Sequence, residues 1–320
     1  MALNRYQIFN ISKKVSNTLT LEIEGVPKPT ENGCRLKPSK SLTVKIRKNL
    51  FKRRVVKGLY IIIAWGIFID CKKVIASYWN IRSSTYTNGI NGFDEEERAV
   101  WKQIFENSFS LSERLNILDV GTGAGFLALL FAEMGHKVTG IDLSTNILKK
   151  AKHNADNMGL KIDFFHGDAE NLPFEDSSFD LVTNKFLLWT LQKPSCAVTE
   201  WKRVLKPGGM VFAIDGDWFD PRPGRRVNRM ISEWADKFLK KNQHNSVFKD
   251  YYGPIRSSLP LYEKISPENA SLLFSETGLV NTSVNSLLEV QEFKKSRQSF
   301  LQRVLGNNSI FLASGQKTLE

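Results

Sequence analysis

The stretch Leu118–Phe126, LDVGTGAGF, constrains what this chain can fold into more than any other. Three glycines at alternate positions, Gly121, Gly123 and Gly125, follow the apolar run at 116–120 and precede a run of helical spacing. Glycines that dense between a strand and a helix let the backbone pass close to a ligand, and the N–H groups at the helix start suit a polar or anionic one.

The pattern downstream fits that turn into a layered architecture. Strand-like runs near 116–120, 137–141, 161–165, 179–184 and 210–215 alternate with helical ones, which calls for a parallel sheet covered by helices on both faces. Upstream, DEEERAVWKQIFENSF reads as a helix with acids in its first turn. After Asp215 the rhythm breaks. We expect a polar helix near 225–242, a loop over YYGPIRSSLPLYEKIS, a helix near 267–277, and strands near 281–290 and 308–314.

Charge separates the N-terminal part from the rest. Residues 1–57 carry 14 Lys or Arg against three acids, a net of +11 of the chain's +12. Rich in proline and turn residues, with short alternations such as TLTLEIE, they are expected to form a basic, flexible arm. An apolar segment at 58–75 follows, and residues 76–320 form the main domain with a lid insertion at about 218–266. The uncharged run Leu59–Ile69 is too short to span a bilayer, which takes about 20 residues. It reads either as an element packed on the main domain or as a peripheral membrane contact through residues 45–70, with Lys52, Arg53, Arg54 and Lys57 meeting anionic lipid. The scattered Cys34, Cys71 and Cys196 form no disulfide or zinc pattern, and no metal site is expected; a cytoplasmic setting fits.

Two ligands compete for the glycine turn. A dinucleotide fingerprint is spaced G-x-G-x-x-G, with an acid about 20 residues on for the ribose. Here the spacing is G-x-G-x-G, and Phe126 stands where the third dinucleotide glycine would be. Asp142, at the end of HKVTGID, serves either ligand.

The ordered series ILDVGTGAG, VTGIDLSTNILKKAK, FFHGDAENLPFEDSSFDLV and EWKRVLKPGGMVFAID resembles the motifs of the class I S-adenosylmethionine-dependent methyltransferases over about Asn116 to Asp215. In overall look it is similar to the group that includes the ubiquinone and menaquinone C-methyltransferases. The resemblance implies a Rossmann-like α/β fold: a seven-stranded, mostly parallel sheet with an antiparallel C-terminal strand pair. S-adenosyl-L-methionine would be the cofactor. Asp119 would orient the glycine loop and meet the methionine ammonium; Gly121, Thr122, Gly123 and Gly125 would form the loop. Asp142 would accept both ribose hydroxyls and Leu143 would pack on the adenine. Asp168 would take the adenine amino group, with the Ala169 N–H near a ring nitrogen and Asn184 close by, and LKPGG would turn the chain into the fifth strand. Taken alone, Asp142 and Asp168 also read as helix-capping or turn residues.

The sequence says less about the acceptor. The segment Thr183–Trp189 lacks the [DN]-P-P-[FY] pattern of enzymes that methylate base or glutamine nitrogens, and a thiol set for arsenic chemistry is missing. A small-molecule acceptor is expected, with Tyr78, Trp79, Arg82, Tyr86, Trp189, Asp215, Asp217 and Trp218 as candidate contacts, each aromatic equally readable as core packing. Competing readings are an RNA-directed methyltransferase or RNA-binding protein using the arm with Arg222, Arg225, Arg226 and Arg229, and a non-catalytic methyltransferase-like protein.

Overall fold

The computed structural model describes residues 18–23, 27–29, 36–38, 42–47, 70–87, 89, 93–108, 114–219, 224, 227, 230, 244–298, 303 and 309–319. The chain divides into two compact units, Met1–Phe68 and Ile69–Glu320. In the first unit β1 (Thr18–Ile23), β2 (Pro27–Pro29), β3 (Leu36–Pro38) and β4 (Leu42–Arg47) form two antiparallel pairs, β1 with β4 and β2 with β3. TLTLEI is thus a strand, with Leu19, Leu21 and Ile23 opposite Ile46, Val44 and Leu42. The run Leu59–Ile69, the arginines at 222, 225, 226 and 229, and most of the helix expected near 225–242 lie outside the described residues.

The second unit opens with α1 (Cys71–Arg82), capped by Asp70, whose carboxylate accepts the Lys73 N–H, and α2 (Glu95–Ser108). Then come β5 (Asn116–Val120), α3 (Phe126–Glu133), β6 (Lys137–Asp142), α4 (Thr145–Asn157), β7 (Asp163–His166), β8 (Phe179–Lys185), α5 (Pro194–Val204) and β9 (Leu205–Gly216). The unit closes with α6 (His244–Ile255), α7 (Pro267–Glu276), β10 (Val280–Ser286), α8 (Leu288–Ser296) and β11 (Ile310–Gln316).

The strands form one seven-stranded sheet, ordered β10-β11-β9-β8-β5-β6-β7. β5 to β9 run parallel, while β11 is antiparallel to both β9 and β10. This is the Rossmann-like fold with an antiparallel C-terminal pair. Strand order reverses beside β5, and a crevice opens at the carboxyl ends of the strands there. The glycine turn sits at that point. Buried side chains form two clusters, one around Val182, Trp189, Trp201 and Tyr252 and the other around Trp101, Phe105, Phe131 and Leu181. Alternate residues of β8 feed them in turn.

Three expectations change. YYGPI is not loop: α6 runs through it, with Tyr252 and Ile255 fully buried, and Pro254 costs it one hydrogen bond a residue before the helix ends. The strand expected at 281–290 stops at Ser286. Buried Leu287 and Val290, three residues apart, with Glu289 early and Lys294 and Lys295 late, make the following stretch a helix. The segment SYWNIR belongs to α1, which had no place in the expected element order.

Candidate functional site

The glycine turn closes around Asp119. Its Oδ2 accepts the Thr122 hydroxyl at 2.6 Å and the Ala128 N–H at 3.2 Å, which fixes the turn and the first turn of α3 together. Burial pushes its pKa up to about 7 against those hydrogen bonds. Gly121, Gly123 and Gly125 all hold positive φ, at 66°, 57° and 91°. A Cβ at Gly121 would meet Leu187 at 2.8 Å, whereas one at Gly123 would find nothing nearer than 4.0 Å. The space above Gly123 is open cavity.

Asp142 is placed by the end of β6. Its Oδ2 accepts the Gly123 N–H at 2.9 Å and its Oδ1 the Ser144 N–H at 2.8 Å, so one carboxylate ties the glycine loop to the start of α4. Burial raises its pKa, and the two N–H donors oppose that. Each oxygen keeps a further lone pair for a ligand diol.

A cavity of about 680 Å³ opens over this loop. Its walls carry Gly121, Gly123, Asp142, Leu143, Asp168 and Ala169 of the cofactor set and Tyr78, Trp79, Arg82, Tyr86, Trp189 and Trp218 of the acceptor set. Asp119, Thr122, Gly125, Asn184, Asp215 and Asp217 are not on those walls. Asp119 and Thr122 bind each other behind the loop, and Asn184 is fully buried with neither amide atom hydrogen-bonded. Asp217 accepts the Ser309 N–H at 2.7 Å. Asp215 accepts the Gly216 N–H and the Trp218 indole N–H, both at 2.8 Å, and burial pushes its pKa up to about 7.

Elsewhere on the cavity wall Asp168 is bound by Lys72 of α1, which also reaches Glu170 at 2.7 Å. Glu170 accepts the N–H groups of Gln192 and Lys193, both at 2.8 Å. Burial pulls the Lys72 pKa down, but these two carboxylates outweigh it and hold it above the ordinary value. The other end of α1 is tied to α4, with Asn80 Oδ1 accepting from the Ser144 hydroxyl at 2.7 Å and the Asn146 N–H at 3.1 Å. α1 is therefore a wall of the cavity, clasped at both ends.

An aromatic chamber adjoins it. Phe219 stacks on Phe248 at 5.7 Å and on Tyr262 at 4.2 Å, and Phe248 stacks on Tyr252 at 4.6 Å. Trp189 leans on Phe219, Phe248 and Tyr252, and Tyr78 meets Trp79 edge-on. The Tyr252 hydroxyl is held between the Trp79 indole at 3.2 Å and Thr190 at 2.9 Å. Sequence reading missed Lys72, Glu170, Phe219, Phe248, Glu97 and Lys185. The last two line the far end of the cavity, and no motif marks them.

The lining fits S-adenosylmethionine in kind: a carboxylate anchored at the glycine loop, Leu143 and Ala169 on the cavity wall, and open space over Gly123. A model of the methyltransferase domain matches residues 118–213. A demethylmenaquinone methyltransferase of Staphylococcus aureus is 39% identical over 210 residues, which are 64% of this chain and 84% of that protein. Another, from Staphylococcus haemolyticus, is 39% identical over 136 residues, and the match spans only 56% of that protein. A chain of a Haloferax volcanii complex that contains the Trm112 methyltransferase activator shares the fold at 17% identity, TM-score 0.50, over 76% of this chain and 97% of its own length. With the motif series, the cavity geometry and a relative matched over most of its length in agreement, the chain belongs to the class I S-adenosylmethionine-dependent methyltransferases.

Proposed function

We propose that this methyltransferase acts on a planar aromatic small molecule of the quinol class and adds the methyl group to a ring carbon. The observation that carries this reading is the aromatic chamber beside the cofactor cleft. Phe219, Phe248 and Trp189, packed on one another, give the cavity a rigid aromatic wall against which a flat ring can lie. The relatives named as demethylmenaquinone methyltransferases support the same class.

S-adenosylmethionine supplies, when bound, an electrophilic methyl group on a sulfonium sulfur. The chain's part is to align and to exclude water. The aromatic wall would hold the acceptor flat, and α1, clasped by Lys72 and Asn80, covers the cleft. Transfer would exchange the sulfur–methyl bond for a carbon–carbon bond, leaving S-adenosylhomocysteine, and the proton of the acceptor carbon would pass to solvent. A quinol ring is electron-rich enough to attack without a dedicated nucleophile in the protein.

A quinol acceptor with a polyprenyl tail would reside in lipid. No described helix is long and apolar enough to cross a membrane. The run Leu59–Ile69 with Lys52, Arg53, Arg54 and Lys57 supports a peripheral approach to the bilayer.

The test is incubation with methyl-labelled S-adenosylmethionine and either reduced demethylmenaquinone or total RNA. The reading expects label on the naphthoquinol ring, lost in Phe248→Ala and Trp189→Ala together. Label on RNA, or none on the quinol while the cofactor binds, would overturn it.

A further inference from the structure

At the end of the cavity away from Asp168, the ammonium of Lys185 hangs between two rings, 4.1 Å from the Phe126 centroid and 4.3 Å from that of Phe186. Among the described residues its Nζ has no hydrogen-bond or ion-pair partner. Burial is the largest influence on it and pulls its pKa down to about 8, partly opposed by the fields of Glu97 and Asp119. A half-buried ammonium that faces two rings and no acceptor among the described residues is a costly arrangement that an incoming anion would relieve.

The backbone at this corner is shaped for the same end. Phe186 holds φ at 61° and Phe93 at 66°, a conformation L side chains rarely adopt. Phe93 meets Phe126 edge-on at 5.0 Å and so backs one of the two rings that face Lys185. Glu97, 1% exposed, lines the same end of the cavity from the first turn of α2 and packs against Gly89. An acid and a base therefore face one small space beside the glycine turn.

That space and the aromatic chamber are on the walls of the same cavity, each toward a different core cluster. Lys185 alternates with Asn184 along β8, and its ring neighbour Phe126 belongs to the cluster of Trp101 and Phe105, whereas Trp189 and Tyr252 belong to the other. An acceptor stacked in the chamber is not where this charge pair points. A zwitterion is the chemical group that needs one cation and one anion side by side.

We propose that Lys185 and Glu97 hold the amino-acid end of S-adenosylmethionine, Lys185 binding the carboxylate and Glu97 the ammonium. Glu97 thereby takes the role that the motif resemblance gave to Asp119, whose carboxylate is turned inward onto Thr122 and Ala128. This rests on the cofactor assignment, which a single pair of ligands tests separately. S-adenosylhomocysteine keeps the amino-acid end; 5′-methylthioadenosine lacks it and keeps the nucleoside.

Calorimetric titration of the full chain with both ligands is the experiment. Lys185→Met should weaken S-adenosylhomocysteine binding by about tenfold to a hundredfold, the range of a lost charge-assisted hydrogen bond, and leave 5′-methylthioadenosine within about twofold. Glu97→Gln should do the same with a smaller loss. Retained 5′-methylthioadenosine binding shows that each variant is folded. The proposal is overturned if Lys185→Met weakens both ligands equally, or neither, or raises only the KM of the acceptor. Wild-type protein that binds neither ligand would overturn the cofactor assignment and this inference with it.

Discussion

Replacing Gly123 by alanine separates what the fold needs from what the ligand needs. A Cβ at Gly123 would lie 4.0 Å from the Gly121 carbonyl oxygen and from Ile147 Cδ1, ordinary contact distance, so the protein has room for it. The folded state bears only the left-handed φ of 57°, about 1–2 kcal/mol for an L residue, offset in part by the lower chain entropy of alanine in the unfolded state. A net cost of about 1 kcal/mol lowers Tm by about 2–4 °C in a unit of this size. The methyl group, however, projects into the cavity where the cofactor must pass close to the loop. Overpacking of that order costs about 1–3 kcal/mol, or roughly fivefold to more than a hundredfold in affinity. Thermal unfolding and calorimetry with S-adenosylhomocysteine read the two effects separately. Affinity within threefold of wild type, together with the small loss of Tm, would refute the idea that the ligand lies over Gly123.

Further outcomes follow from the same geometry. Gly209→Ala should lower Tm by several degrees without changing cofactor affinity, since its Cβ would come within 2.9 Å of the Lys206 carbonyl oxygen and 3.0 Å of that of Asp180, and backbone cannot yield as a side chain can; an unchanged Tm would contradict it. Asp215, pushed up to about 7 by burial, keeps its proton in the folded chain to a higher pH than in the unfolded one. Its contribution to stability is therefore greatest at acid pH and is lost as pH rises through about 7, so the Tm of Asp215→Asn relative to wild type should climb between pH 5 and 8. A difference flat with pH would count against that assignment. Deleting residues 1–68 should abolish sedimentation with phosphatidylglycerol vesicles while preserving the circular dichroism of the remaining unit; sedimentation unchanged by the deletion would remove the membrane approach.

The fold was legible where local chemistry and global architecture agree. The turn Gly121–Gly125 declares itself in sequence because its positive-φ backbone admits few residues. Asp142 lies on the cavity wall and accepts the Gly123 N–H. Asp168 lines the cavity too, yet its bond to Lys72 was invisible, because it joins residues 96 apart through a helix with no motif. Lys185 and Glu97 were missed for a related reason. Lys185 is one of 45 basic side chains, and only burial between Phe126 and Phe186 sets it apart. Asp217 is off the cavity wall, since a charge next to a strand end can serve the backbone, as it does at Ser309. In the C-terminal part, the packing of Tyr252, Ile255, Leu287 and Val290 decided between helix and other structure against the local signals.

The cavity's claim to S-adenosylmethionine rests on Asp142 more than on any other side chain, because it anchors the loop and offers the remaining lone pairs to a ribose. Isothermal titration of wild-type chain and of Asp142→Ala with S-adenosylmethionine and with NAD tests it most directly. Wild-type protein should bind one S-adenosylmethionine per chain and no NAD, and Asp142→Ala should bind neither. NAD binding as tight as that of S-adenosylmethionine, or full retention of S-adenosylmethionine affinity in Asp142→Ala, would contradict the account.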